Sequence, residues 1–170
     1  MLILISDANI LIDLEEGELI RSLFQLPYRF TVPDLLFYDE LAEHHADLLE
    51  QGLLLGEMTP QTLRYVSQLV MRVQGPSRYD CFALALAKQE NCPLLTGDKA
   101  LRMAAKAEQV EVRGTLWLVE EMVRYAIIDR AAAHRAYSLM RASGRRLPWE
   151  MAFQRLSDEL ADLSDSQPGS

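Results

Sequence analysis

Four acidic positions stand where this 170-residue chain could do chemistry. Asp7 ends an apolar run, Met1-Leu-Ile-Leu-Ile-Ser-Asp7, and is followed by Ala8-Asn9. Asp80 opens an alanine-rich stretch, Tyr79-Asp80-Cys-Phe-Ala-Leu-Ala-Leu-Ala87, and Asp98 ends a second apolar run, Cys92-Pro-Leu-Leu-Thr96-Gly-Asp98. The fourth belongs to the cluster Asp39-Glu40-Leu41-Ala42-Glu43. Carboxylates gathered at one site raise one another's pKa values unless cations intervene. Oxygen-only ligation, in a chain with 3 histidines, suits Mg²⁺ or Mn²⁺ better than zinc. Such ions activate a water and stabilise the leaving oxygen of a phosphodiester, so no side-chain nucleophile is required. The reaction class that fits is metal-assisted phosphodiester hydrolysis.

The elements that must position these acids follow from the pattern. Residues 2–6 are an apolar run of strand length, as expected of a strand buried on both faces. Further strands are predicted over 29–32, 53–58, 94–96 and 110–113. Helices are predicted after Asp7, over 34–51, 59–73, 78–90, 99–107 and 116–125. Thr59-Pro60 is an N-cap followed by proline at the first helical position. Strands alternating with helices indicate a three-layer α/β/α domain around a mostly parallel sheet. Ligands of such sheets bind beyond the carboxyl ends of the strands, where Asp7 and Asp98 fall. Asp80 lies in the first turn of its helix, where the macrodipole favours an ionised carboxylate. From Asp129 onward only helical patterns remain, with a turn at Ser143-Gly144 and a restart at Pro148. The expected organisation is a domain over 1–125, a C-terminal helical extension over 126–163, and a disordered tail over 164–170.

Composition bounds the partners. A chain of this length with 49% hydrophobic residues fills one substantial core. It holds no apolar stretch of membrane-spanning length and no basic leader, so a cytoplasmic protein without a membrane association is expected. Cys81 and Cys92 read as small buried hydrophobes in a reducing compartment. The net charge of −8 is uneven: residues 1–60 hold 12 acidic and 2 basic residues, whereas 61–155 hold 15 basic and 9 acidic. The acidic total argues against a polyanionic partner, but the basic middle keeps nucleic acid open.

The four motifs, with Val32-Pro33-Asp-Leu-Leu-Phe-Tyr-Asp39-Glu40-Leu41 as the second, resemble those of PIN-domain nucleases of bacterial toxin–antitoxin modules. The resemblance covers about residues 1–125. It implies a metal-dependent endoribonuclease in which Asp7, Glu40, Asp80 and Asp98 bind Mg²⁺ or Mn²⁺ and cleave RNA. Asn9 and Thr96 would then give hydrogen-bonding support. It also implies a homodimer and a cognate antitoxin protein as partner. The second acid stays open: the family's usual offset from the proline gives Asp39, the Glu-Leu pairing gives Glu40, and Glu43 lies one turn on. Glu40 is favoured because it lies three and four residues after Phe37 and Leu36 and so borders a face expected to pack inward.

Each residue also has a plainer reading. Asp7, Asp80 and Asp98 could each be only a helix cap or first-turn charge. The 39–43 cluster could be a solvated helix face. Lys99 and Arg102 either contact phosphate or lie on an exposed face, and Arg145-Arg146 either line an RNA path or are solvated. His44 and His45 lack metal-ligand spacing and read as surface residues. The apolar spacing of the C-terminal helices reads as core packing, with a dimer face or groove cover as alternatives. A catalytically silent PIN-like binding module for nucleic acid or protein is the competing function. Haloacid-dehalogenase and receiver-type phosphotransfer are disfavoured, because Asp7-Ala8-Asn9 is not Asp-x-Asp and no acidic pair follows the first strand.

Overall fold

A computed structural model describes residues 1–165, with side chains through residue 158. Five strands form one sheet: β1 (Leu2–Ser6), β2 (Tyr28–Pro33), β3 (Leu54–Gly56), β4 (Leu94–Leu95) and β5 (Val112–Arg113). Their order is β3-β2-β1-β4-β5, and every pairing is parallel. Leu4 and Ile5 point to opposite faces and both are fully buried, as a central strand covered on both sides requires. The chain builds outward from β1 through β2 to β3, then crosses to the other side for β4 and β5. The carboxyl ends of β1 and β4 therefore flank the switch point at which open α/β sheets bind their ligands.

Helices cover both faces. One layer holds α1 (Ala8–Glu16), α2 (Ile20–Leu23), α9 (Thr115–Arg124) and α10 (Arg130–Ala142), with α1 and α9 both against α10. The other is built around α7 (Arg78–Gln89), which packs on β1 and β2 and is flanked by α6 (Pro60–Arg72) and α8 (Lys99–Ala107). Cys81 through Ala87 are buried without interruption, the mark of a helix enclosed on all sides. Its alanines allow close approach to the sheet. The last helix, α11 (Trp149–Asp165), packs on α10. Ala133, Ala136, Tyr137 and Met140 of α10 and Ala152 and Leu156 of α11 join the same hydrophobic core as β1. Helix α11 runs two residues into the expected tail, whose residues 166–170 lie outside the described ones.

The segment after β2 departs from the sequence pattern. Residues 34–51 are not one amphipathic helix but α3 (Asp34–Leu36), a π-turn (Phe37–Leu41), α4 (Ala42–His45) and α5 (Leu48–Gln51). A π-turn inserts one residue into the helical path. Phe37 and Leu41 are thereby both buried, while Asp39 and Glu40 between them face outward. The two histidines also differ from the expectation of a plain surface pair. His44 is exposed, but His45 is half-buried and pairs with Glu15 of α1. Both cysteines are free thiols, Cys81 buried and Cys92 half-buried.

Candidate metal centre

The register of β1 with β4 builds the centre. Ser6 pairs with Leu95, and the Asp7 N–H donates to the Leu95 carbonyl at 3.0 Å. Asp7 therefore stands beside Thr96. The Thr96 hydroxyl donates to Asp7 Oδ2 at 2.5 Å, and the Ile10 N–H donates to Asp7 Oδ1 at 2.9 Å, which makes Asp7 the N-cap of α1. The same Thr96 oxygen accepts from the Asp98 N–H at 3.1 Å. Two strand ends are thus joined through one hydroxyl. Asp7 is 2% exposed, and burial pushes its carboxyl up from 3.8 to about 6; Asp80 and Asp13 raise it further, while Thr96 and Ile10 oppose the shift. A buried carboxylate repelled by two others is a site short of positive charge.

Asp80 influences two acids. Its negative charge raises the pKa of Asp7 and also that of Glu40, for which partial desolvation of an otherwise exposed side chain is the larger cause and Asp39 adds to the shift. Asp80 sits in a reciprocal capping box at the start of α7: Ser77 Oγ accepts from the Asp80 N–H, and Asp80 Oδ2 accepts from the Ser77 N–H at 2.8 Å. Among the described residues, no hydrogen bond reaches Asp80 Oδ1. Asp39 is engaged elsewhere, accepting from the Tyr79 hydroxyl at 2.8 Å. Asp98 sits on the rim, where its Oδ1 accepts from the Leu101 N–H at 2.7 Å as the N-cap of α8. The cap readings of Asp7, Asp80 and Asp98 are all real, and they fix the positions of these carboxylates.

Sequence reasoning overlooked a second buried acid. Asp13 of α1 is 6% exposed; it accepts from the Thr115 hydroxyl at 2.9 Å and from Arg145 Nε at 2.6 Å. Burial raises its pKa, while Arg145 and Thr115 hold it down. The same guanidinium donates to Asn9 Oδ1 at 3.1 Å. Asn9 is exposed and turned toward Arg145, so its hydrogen bond serves the C-terminal arm rather than Asp7. Asp13 and Arg145 are 132 residues apart, so no local pattern could have paired them. Asn9, Asp13, Asp98, Arg145 and Arg146 line one cleft of about 370 Å³. Lys99 and Arg102 lie exposed on α8.

Among the described residues, no three Asp, Glu, His or Cys side chains already stand close enough to enclose an ion. The donor chemistry nevertheless fits a hard divalent cation. The available atoms are carboxylate oxygens, and the deepest of them is held against repulsion from its neighbours.

The fold has known counterparts. A family model described as DUF3368, PIN domain, matches residues 3–158 and so takes in α10 and much of α11. A similar solved structure is that of a PilT N-terminus domain protein, SSO1118, from the hyperthermophilic archaeon Sulfolobus solfataricus P2. It is 16% identical, with a TM-score of 0.51, covering 72% of this chain and 94% of that one. No curated protein matches the chain. Among the described residues, no helix is long and apolar enough to cross a membrane. With the family match spanning nearly the whole chain and the same fold in the solved relative, this chain belongs to the PIN-domain family.

Proposed function

We propose that this PIN domain is a divalent-metal-dependent ribonuclease, with Asp7, Glu40, Asp80 and Asp98 as ligands of Mg²⁺ or Mn²⁺. The observation that supports this most is Asp7: a buried carboxylate at the sheet's switch point, with Asp80 acting on both it and Glu40. When bound, the ions supply an activated water and charge neutralisation at the scissile phosphate. Asp7 anchors the site through its bonds to Thr96 and Ile10. Asp80 offers its free oxygen from a fixed helix start. Glu40 is preferred over Asp39 because Asp39 is bonded to Tyr79. The extra residue of the π-turn also accounts for an acid one place beyond the usual family offset. Thr96 orients Asp7, and Lys99 and Arg102, exposed on α8, would contact the phosphates.

The proposal extends to RNA as substrate, to a toxin role with a cognate antitoxin protein as partner, to a homodimer, and to a cytoplasmic setting. A small open reading frame immediately upstream would support the antitoxin. A second reading, a catalytically silent binding module, draws on the spacing of the acids: among the described residues, no three stand close enough to hold an ion. A ribonuclease assay of wild type and Asp7→Asn, with Mn²⁺ and with EDTA, separates the two. Cleavage only by metal-loaded wild type is expected. Equal activity in every sample would sink the nuclease reading, and no activity in any would favour the binding module.

A further inference from the structure

A second groove, of about 780 Å³, runs along the β5–α9 edge and the start of α11 and is lined by Thr96 and Gly97, next to Asp98. It shares Gly97, Arg146 and Leu147 with the acid-lined cleft, so the two are continuous. Four arginines from separate parts of the chain line it: Arg102 of α8, Arg113 of β5, Arg146 of the loop after α10, and Arg155 of α11. Glu111 pairs with Arg113 and Glu120 with Arg155. Arg102 and Arg146 are exposed and form no ion pair among the described residues. In a chain of net charge −8, such a convergence makes a local cationic surface that the overall charge conceals. The start of α9 opens onto the same groove, and its N-cap, Gly114, supplies no side chain to occupy the helix N–H groups. Free N–H groups at a helix start favour a phosphate.

The groove is not uniformly charged. Trp117, Leu147 and Met151 line the same groove as the arginines, with Met151 52% exposed. The Arg113 guanidinium stands 5.6 Å over the Trp117 ring. A duplex would present phosphates to the arginines but keep its bases from this apolar surface. A single strand can splay its bases against it while its backbone follows the cations.

We infer that this groove carries a single strand of nucleic acid to the acidic centre, with Arg102 and Arg146 as its principal phosphate contacts. The inference rests on the ribonuclease reading for its substrate class and assigns the C-terminal arm one wall of the substrate path. The test is binding of a short labelled oligouridylate in EDTA, read by fluorescence anisotropy, with a duplex of equal length beside it. Wild type binds the single strand more tightly than the duplex. Arg102→Glu and Arg146→Glu each weaken that binding roughly 10-fold and lower the salt dependence by about one charge. Arg64→Glu, an exposed change on α6 that lines neither cleft, leaves it unaltered. Equal affinity for duplex, or equal losses in Arg64→Glu and Arg146→Glu, overturns the inference. Because no cleavage occurs in EDTA, binding confined to the groove without metal-dependent cleavage would fail the ribonuclease reading alone. Cleavage that the groove variants leave unaltered would fail the groove alone.

Discussion

Replacing Asp7 with asparagine should stabilise the metal-free protein at neutral pH while removing the proposed metal site. The folded state raises the Asp7 carboxyl from 3.8 to about 6, so folding is opposed by ionisation. The penalty is absent below about pH 4, grows as pH rises from there to about 6, and is complete above that. A shift of this size corresponds to about 3 kcal/mol. Asparagine removes the charge and keeps an oxygen for the Ile10 N–H. Its amide would face the Thr96 hydroxyl, which already accepts from Asp98 and now loses its acceptor. That rearrangement costs about 1 kcal/mol. The net gain is about 2 kcal/mol, or roughly 4–8 °C in Tm for a chain of this size. Thermal unfolding followed by circular dichroism in EDTA, at pH 7.5 and at pH 4, reads it directly. The gain from Asp7→Asn should appear at the higher pH and vanish or reverse at the lower. Added Mn²⁺ should then raise the Tm of wild type but not of the variant. A variant less stable than wild type at pH 7.5, or a difference independent of pH, would refute the reasoning.

Other consequences can be checked with the same protein. Arg145→Met leaves the buried Asp13 carboxylate with Thr115 alone and should cost about 2–4 kcal/mol. Denaturant unfolding of the single variant and of Asp13→Asn/Arg145→Met should show the double variant recovering part of that loss. Met140→Ala empties a fully buried position of α10 and should cost about 2–5 kcal/mol, measured the same way, because the C-terminal helices share the core with β1. Protons compete with metal for Asp7, so Mn²⁺ affinity measured by calorimetry should fall as pH drops below about 6. Glu40→Gln should weaken that affinity about 10-fold or more, and Asp39→Asn much less, since Asp39 is bonded to Tyr79.

The sequence carried the frame because its signals were local. The apolar run ending at Asp7, the Thr59-Pro60 helix start and the Leu94-Leu95 run before Asp98 each lie within a few residues, and each formed the element expected of it. Strand alternation with helices was enough to indicate the parallel sheet. The π-turn was not legible, because one inserted residue leaves an amphipathic pattern nearly unchanged over a short segment. It nonetheless decides how Asp39 and Glu40 are presented. The short α2 also escaped the pattern, being a single turn between apolar residues. Asp13 has no local signal, because its partner Arg145 comes from the C-terminal arm. Asn9, placed beside Asp7 by sequence, is drawn toward Arg145 by the same long-range packing. What depends on distant contacts had no local signature.

The proposed function depends on Asp7, Glu40, Asp80 and Asp98 binding Mg²⁺ or Mn²⁺ together. Electron paramagnetic resonance of Mn²⁺, titrated into wild type and into Asp80→Asn, tests this most directly. The substitution keeps an oxygen for the Ser77 N–H, so α7 keeps its cap. Wild type should convert free Mn²⁺ into a bound signal that Mg²⁺ displaces, and Asp80→Asn should bind about 10-fold more weakly or not at all. Equal Mn²⁺ binding by the two proteins, or none by wild type, would contradict it.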